Sequence, residues 1–144
     1  MDDDPHLEQP LLGALLDAKA LLLDKHKWTE RAQARNALRK HVRPSSPEAV
    51  WWDIEGAVAL YSNTRGIFPV SAMRLLDSVS RELFGHVHPF AEEAALWGRG
   101  RGQDALIDDL MAATLDRVVE VNDYLGYDAA MQVLNRAIEL EKAR

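Results

Sequence analysis

Apolar residues recur along most of this chain at the 3.6-residue spacing of an α-helix with one buried face. No segment alternates apolar and polar residues with the period of two that a half-buried β-strand requires. The pattern therefore predicts an all-α fold, a single-domain bundle of five to six helices over residues 1–144. Residues 1–9 are expected to form a flexible tail, and residues 86–103 a long loop.

The first helix is predicted to begin near Pro10, because proline is tolerated in the first turn of a helix. Its apolar stripe is broad and consists of Leu11, Leu12, Leu15, Leu16, Ala18, Leu22 and Leu23. A stripe of this width predicts contact with at least two neighbouring helices.

The second predicted helix runs from Thr29, a suitable N-cap residue, to about His41. Its apolar face is thin and consists of Ala34, Leu38 and Val42. Four arginines recur at every fourth position on the opposite face: Arg31, Arg35, Arg39 and Arg43. On a helix these residues form an arginine ridge that drifts by about 40° per step, a geometry suited to binding phosphates or an acidic helix.

Two amphipathic helices are predicted in the middle of the chain. The sequence Ser45-Ser46-Pro47-Glu48 has the cap, the proline and the acid that are typical of a helix start. The apolar face of this third helix is formed by Trp51, Ile54, Val58 and Tyr61. Residues 63–66 end it, and a fourth helix then runs from Pro69 to Gly85, a residue suited to the left-handed stop.

The strongest periodic signal lies towards the end of the chain. A long helix is predicted to begin at Asp104 and to end at Gly126. Its inward face is expected to comprise Ile107, Leu110, Met111, Thr114, Val118, Val121 and Leu125. Asp128 is then predicted to cap a last helix, which packs back on the long helix as an antiparallel neighbour.

Charge is strongly segregated along the sequence. Residues 25–43, the basic segment, hold seven lysines and arginines against one acid, although the whole chain has a net charge of −6. This segment is expected to meet an acidic surface, either on a partner or on the long helix of the same chain. The acids on the outer face of that helix are Asp109, Asp116, Glu120 and Asp123. Because the net negative charge repels polyanions, nucleic acid is not expected as the main partner, and weak binding through the arginine ridge is kept as an alternative.

Composition excludes several classes of chemistry. The chain has no cysteine, which rules out disulfides, thiolate nucleophiles and metal centres that are built on thiolates. The acidic start of the sequence lacks the basic and apolar regions of a secretory signal, and no apolar run approaches the length of a membrane span. We therefore expect a soluble cytoplasmic protein with no cofactor and no membrane partner.

Two sets of polar residues are candidate sites. His86 and His88 carry imidazoles that suit zinc, iron or manganese, but ligands from a single loop do not make a metal site, and none is expected. A second set could converge from different helices into a polar cleft: Trp52, Asp53, Asn122 and Asp123. Structural roles are favoured for this set, because a buried indole N–H needs an acceptor and a buried amide near a helix end usually satisfies backbone groups.

Short motifs follow one another in order between residues 11 and 140. Near the start these are Trp28-Thr29 and Ala32-Gln33-Ala34-Arg35. Later come a proline-led helix with Ala49-Val50, Trp52 and Gly56-Ala57, then Asn122-Asp123, Val133-Leu134 and Ala137-Ile138. This order resembles an uncharacterised family of small bacterial and phage helical proteins, described only as a domain of unknown function. The resemblance implies a small helical domain and supplies no activity, and Asp53 stands where that family usually has a cysteine.

Two classes of function are compatible with these observations. We favour a non-enzymatic helical module that binds another protein or forms a homodimer, because charge is segregated and no catalytic constellation is recognisable. The alternative is a small-molecule or metal-dependent enzyme with a polar cleft between helices. Its cleft would use Trp52, Asp53, His86, His88 and Asn122.

Overall fold

The computed structural model describes residues 9–85 and 117–144. Within them it contains five α-helices: α1 (Pro10–Leu22), α2 (Ile54–Thr64), α3 (Pro69–Phe84), α4 (Arg117–Glu120) and α5 (Tyr127–Lys142). The remaining elements are a 3-10 turn (Lys25–Lys27), a π-helical turn that continues α4 (Val121–Leu125), and two antiparallel strands, β1 (Ala34–Arg35) and β2 (Trp51–Trp52). The prediction of an all-α fold is confirmed.

Part of the predicted architecture lies outside the described residues. This applies to nearly all of the predicted tail, to the predicted loop at residues 86–103, and to the start of the long helix at Asp104. Of that long helix, the structure describes the part from Arg117 onward.

Helix α1 is covered on two sides, by α2 and by α5. Its residues Leu15, Ala18 and Leu22 are completely buried, whereas Leu23, directly after the helix, is 64% exposed. Burying one leucine side chain is worth about 2 kcal/mol relative to leaving it in water. The predicted start at Pro10 and the predicted contact with two neighbouring helices are both confirmed.

Helices α3 and α5 complete the core. The buried residues of α3 are Ala72, Leu76, Val79 and Ser80, and those of α5 include Val133, Leu134, Ala137 and Ile138. Helix α5 contacts α1, α2 and α3, so the apolar faces of these helices meet in one cluster. Helix α3 ends at Gly85 with a φ of 64°, where the sequence predicts a left-handed stop.

The helix predicted from Thr29 to His41 is not formed, and this prediction is wrong. The chain runs extended beside β2 instead, with the Thr29 N–H donating to the Trp52 carbonyl at 3.0 Å. It then folds back on itself, and the Val42 N–H donates to the Ala34 carbonyl at 3.1 Å. A helical arginine ridge therefore does not exist.

A turn anchored by Asn36 explains why the basic segment leaves the helical path. The Asn36 side-chain oxygen accepts hydrogen bonds from the backbone N–H groups of Leu38 and Lys40, both at 3.0 Å. Asparagine side chains compete in this way with helical hydrogen bonds. A helix here would need burial of its apolar face to offset this competition, but that face is thin. Leu38, its largest predicted apolar residue, is 77% exposed in the observed structure.

The third predicted helix exists as α2, but it begins at Ile54 and not near Pro47. Asp53 is its N-cap, since the Asp53 carboxylate accepts a hydrogen bond from the Gly56 N–H at 2.6 Å. The end of α2 at Thr64 agrees with the break predicted at residues 63–66.

The sequence around Pro47 makes a turn and not a helix. The Ser46 hydroxyl accepts a hydrogen bond from the Glu48 N–H at 3.1 Å, so its capping group is used within the turn. Trp51 and Trp52 then pair with β1, which keeps both residues extended and removes Trp51 from the helix face predicted for it. Pairing with another segment overrides the local start signal at this point.

The end of the long helix differs from the prediction in register. Val118 and Val121 are completely buried, as predicted, and Gly126 ends the helix with a φ of 93°. Leu125, which the periodicity places inside, is 45% exposed. The π-helical turn contains about one residue more per turn, and this rotates the positions after Val121 away from the 3.6-residue register. Asn122, four residues after the buried Val118, lies on the inward side and is also completely buried.

The last predicted helix is formed as α5 with a different N-terminus. It begins at Tyr127, and Gly126 occupies the N-cap position without any side-chain hydrogen bond. Asp128, which the sequence predicts as the cap, lies within the first turn. A carboxylate there still interacts favourably with the positive end of the helix dipole.

The basic segment and α2 come into direct contact at Gly56. A Cβ atom built on this buried glycine would lie 2.7 Å from the carbonyl carbon of Gln33 and would overlap its oxygen. The Asp53 N–H donates to the same carbonyl at 3.1 Å. The extended segment can therefore lie on the start of α2 only because residue 56 has no side chain.

We expect Gly56→Ala to lower the free energy of unfolding by about 2 kcal/mol, because backbone atoms must move to make room. Ser78→Ala is the control, because Ser78 is an exposed residue within α3, where an alanine meets no backbone of another segment. The control should change stability by less than about 1 kcal/mol. Urea denaturation followed by circular dichroism measures both variants. Equal losses would contradict the close approach at Gly56.

Candidate functional site

The basic segment is attached to the helical bundle through the side chain of Asn122. Its Oδ1 accepts hydrogen bonds from Trp28 Nε1 at 2.8 Å and from the Ile54 N–H at 3.1 Å. Its Nδ2 donates to the Thr29 carbonyl and to Asp123 Oδ1, both at 3.1 Å. Two acceptor and two donor positions are thus all filled, as a completely buried amide requires.

Asp123 holds the next part of the basic segment. Its Oδ1 accepts a hydrogen bond from the backbone N–H of Arg31 at 2.8 Å. Arg31 has a φ of 61°, and Arg39, with 63°, is the other non-glycine residue with positive φ in the described part of the chain. A residue with a Cβ atom loses about 1–2 kcal/mol in this left-handed conformation. Surrounding contacts must therefore hold both arginines in place.

The half-buried side chain of Arg35 joins the two left-handed turns. Its Nη1 donates to the Arg39 carbonyl at 2.8 Å, and its Nη2 donates to the Glu30 carbonyl at 3.1 Å. The guanidinium group is planar and rigid, so two fixed hydrogen bonds determine its orientation. Arg35 thereby places the backbone of Arg39 close to the turn that contains Arg31.

These turns enclose an open cavity of about 400 Å³, which we call the arginine cleft. Its lining consists of Trp28, Thr29, Glu30, Arg31, Arg35, Arg39 and Trp51. Three of the four arginines predicted as a ridge are therefore brought together, although by turns and not by a helix. The fourth, Arg43, is exposed and does not line the cleft.

None of these four arginines forms an ion pair with a carboxylate of the described residues. Arginines elsewhere do: Arg65 pairs with Asp17 at 2.9 Å, and Arg136 pairs with Glu82 at 3.2 Å. Among the described residues, Glu30 is the single acid that lines the arginine cleft. Within the described part of the chain, the cleft therefore carries an excess of positive charge.

The structure also places the acids that could have neutralised the arginines internally. Glu120, predicted on the outer face of the long helix, is 3% exposed and pairs with Arg117 at 3.4 Å, so that prediction is wrong. Asp123 binds the backbone of Arg31 and not a guanidinium group. Asp109 and Asp116 lie outside the described residues.

The four residues predicted as a possible polar cleft lie near one another, beneath the basic segment. Asp53 caps α2, and Asn122 bonds to the N–H of Ile54 at the same helix start. Trp52 Nε1 donates to the Pro44 carbonyl at 3.0 Å, which provides the acceptor that the sequence analysis expects for a buried indole. None of the four predicted residues lines the arginine cleft. Their hydrogen bonds join the basic segment, the start of α2 and the π-helical turn, and so stabilise the backbone around the arginine cleft.

The metal site considered at His86 and His88 lies outside the described residues. Within residues 9–85 and 117–144, no group of three or more His, Asp or Glu side chains is arranged to hold a metal ion. In the same ranges, no helix combines the length and the apolar composition of a transmembrane span.

Trp28 is fixed by an aromatic neighbour that the sequence analysis does not identify. The Trp28 and Tyr127 rings meet edge to face, with centroids 5.9 Å apart, and the Tyr127 hydroxyl donates to the Leu22 carbonyl at the end of α1. Burial raises the pKa of Tyr127, and Asp128 and Asp24 raise it further. The hydroxyl therefore stays protonated and able to donate throughout the neutral pH range.

A second cavity, of about 420 Å³, lies where α1 and α3 begin and α5 ends. Its lining consists of Gln9, Pro10, Leu11, Leu12, Ile67, Ser71, Glu141 and Arg144. The arginine in this cavity already pairs with Glu141 at 3.0 Å. Because its charges are matched, this cavity is a weaker candidate for ligand binding than the arginine cleft.

Comparisons of the chain with protein-family models, with curated proteins and with solved structures give no significant match. The family resemblance inferred from the sequence motifs therefore stays a prediction.

We expect Asn122→Ala to lower the free energy of unfolding by about 3 kcal/mol, because the N–H groups of Trp28 and Ile54 lose their acceptor. Asn63→Ala is the control, since Asn63 is exposed near the end of α2. The control should stay within about 0.5 kcal/mol of the wild type. Chemical denaturation measures both variants. Similar values for the two would show that the Asn122 amide does not hold the segments together.

Arg39→Gly is expected to be more stable than Arg39→Ala by about 1 kcal/mol, because only alanine retains the steric cost of a positive φ. Both variants remove the same guanidinium group, so the comparison isolates the backbone. Thermal unfolding of the two proteins under identical conditions measures the difference. A more stable alanine variant would mean that the conformation of residue 39 carries no strain.

Proposed function

We propose that this protein is a non-enzymatic binding module, and that its arginine cleft binds an acidic segment of a partner protein. The observation that carries the proposal is the clustering of Arg31, Arg35 and Arg39 around one cavity, with no carboxylate of the described residues paired to them. Arginine presents a planar fork of donors that matches a carboxylate in a bidentate arrangement. An acidic side chain that enters the cleft would supply the missing counter-charge.

The rigidity of the cleft supports a binding role. Two hydrogen bonds fix Arg35, and Asp123 fixes the backbone of Arg31. Preorganised groups lose little entropy when a ligand arrives, which increases affinity without adding contacts. The half-buried Trp28 and Trp51 add apolar wall to the same cavity. Tryptophan and arginine are the residue types that contribute most energy in protein interfaces.

A protein partner fits the geometry better than a nucleic acid does. A helical ridge of arginines could follow successive phosphates along a strand, but the observed turns direct three arginines to one cavity. The net charge of −6 also opposes long-range attraction of a polyanion. A second copy of this chain is one protein that could supply the acidic segment, so the predicted homodimer remains part of the proposal.

The proposal predicts that a fluorescent octaglutamate peptide binds the protein and that binding weakens when NaCl rises from about 50 mM to about 300 mM. Loss of two guanidinium groups in Arg31→Ala/Arg39→Ala should reduce the affinity by at least about tenfold. Fluorescence anisotropy measures each affinity, and light scattering shows whether the protein is a dimer. An octaglutamine peptide should not bind.

Arg74→Ala is the matched control for the double variant, because Arg74 is an exposed arginine of α3 that does not line the cleft. Its affinity for octaglutamate should equal that of the wild type. Equal weakening by both variants would show that binding follows net charge and not the arginine cleft. Tighter binding of single-stranded DNA than of octaglutamate would favour the nucleic-acid alternative.

A further inference from the structure

We infer that the group bound in the arginine cleft is a phosphate monoester on an aromatic ring, namely a phosphotyrosine side chain of the partner protein. This inference rests on the proposed function and narrows it from acidic segments in general to a phosphorylated one. Three features of the cleft carry it: the number of its arginines, the backbone turns that bring them to one cavity, and its aromatic walls.

The number of arginines exceeds what one carboxylate can use. A carboxylate carries one negative charge on two oxygens, so it leaves most of the charge of three guanidinium groups unbalanced. The cleft presents the guanidinium groups of Arg31, Arg35 and Arg39 against the single carboxylate of Glu30. A phosphate monoester carries a charge of about −1.5 to −2 and three strong acceptor oxygens. It can therefore accept hydrogen bonds from all three arginines and balance their excess charge.

The arginines are placed for one compact anion. Arg35 bonds to the backbone at Arg39 and at Glu30, which brings the two left-handed turns together. Positive φ at two non-glycine residues is a strained conformation, and strain of this kind is typical of ligand clamps. Clusters of arginine are also the usual means by which proteins recognise phosphorylated motifs.

The walls of the cleft favour an aromatic carrier for the phosphate. Trp51 and Trp28 line the cavity, and Trp28 is held by its hydrogen bond to Asn122 and by its edge-to-face contact with Tyr127. Aromatic rings gain from packing against each other in offset or edge-to-face arrangements. A volume of about 400 Å³ lies at the lower end of the range for small-molecule pockets, and it can hold one ring with its phosphate.

Isothermal titration calorimetry of the full chain with three heptapeptides tests the inference. The peptides share a glycine-serine sequence and carry phosphotyrosine, tyrosine or glutamate at the central position. The phosphotyrosine peptide should bind at least about tenfold more tightly than the glutamate peptide, and the tyrosine peptide should not bind. Arg31→Ala/Arg39→Ala should remove this preference, whereas Arg74→Ala should retain it.

A lysine variant separates the fork geometry of arginine from its charge. Arg31→Lys/Arg39→Lys keeps both positive charges at exposed positions and removes the bidentate donors. We expect it to bind the phosphotyrosine peptide several-fold more weakly than the wild type and more tightly than the alanine variant. Full affinity in the lysine variant would show that charge alone is recognised and would overturn the phosphate argument.

Adenosine 5′-monophosphate is the remaining probe, because it also joins a phosphate monoester to a flat ring system. It should bind more weakly than the phosphotyrosine peptide, and tighter binding would overturn the assignment to a protein side chain. Equal binding of the phosphotyrosine and glutamate peptides would overturn the phosphate preference alone, since octaglutamate would still bind. Failure of octaglutamate and of all three heptapeptides would overturn both the inference and the proposed function.

Discussion

The placement of the basic segment depends on the buried amide of Asn122. Its four hydrogen-bonding positions are filled by groups at Trp28, Thr29, Ile54 and Asp123. A buried polar group that loses its partner costs about 1–3 kcal/mol, a large share of the 5–15 kcal/mol that holds a typical domain together. An alternative position of the basic segment would break several of these bonds at once. The arginine cleft is therefore held in one geometry by a residue that does not line it.

Asn122 follows Val118 by four residues and therefore lies on the same inward side of the helix. Leu125 would lie on this side too in a regular α-helix, but the wider π-helical turn leaves it 45% exposed. The interior at this end of the helix is therefore filled by an amide with directional hydrogen bonds and not by a leucine side chain. The backbone also departs from its usual conformations at Arg31 and Arg39, which adopt positive φ although neither residue is a glycine. Departures of this kind concentrate at functional sites, because a stable core elsewhere offsets their cost.

Sequence patterns correctly predict those helices whose start, end and apolar face depend on residues that are close together in the sequence. Helix α1 and helix α3 follow from their proline starts and apolar periodicity, and the stop at Gly85 follows from its lack of a side chain. The basic segment is different, because its structure depends on pairing with Trp51 and Trp52, which periodicity does not reveal. The side-chain hydrogen bonds of Asn36 are the one local signal against a helix there. Three of the four arginines that the charge pattern groups together do line one cavity, but the predicted helix gave them the wrong arrangement.

The chemistry of the cleft favours recognition over catalysis. Arginine keeps its proton throughout the physiological pH range, so the three guanidinium groups can orient and neutralise an anion but cannot transfer a proton to it. General acid or base catalysis needs a group that exchanges protons near neutral pH and lies within reach of the reacting atom. Among the described lining residues Glu30 is the one acid, and Arg35 binds its backbone carbonyl. The described lining of the cleft therefore presents donors that can bind an anion, in keeping with the proposed binding role.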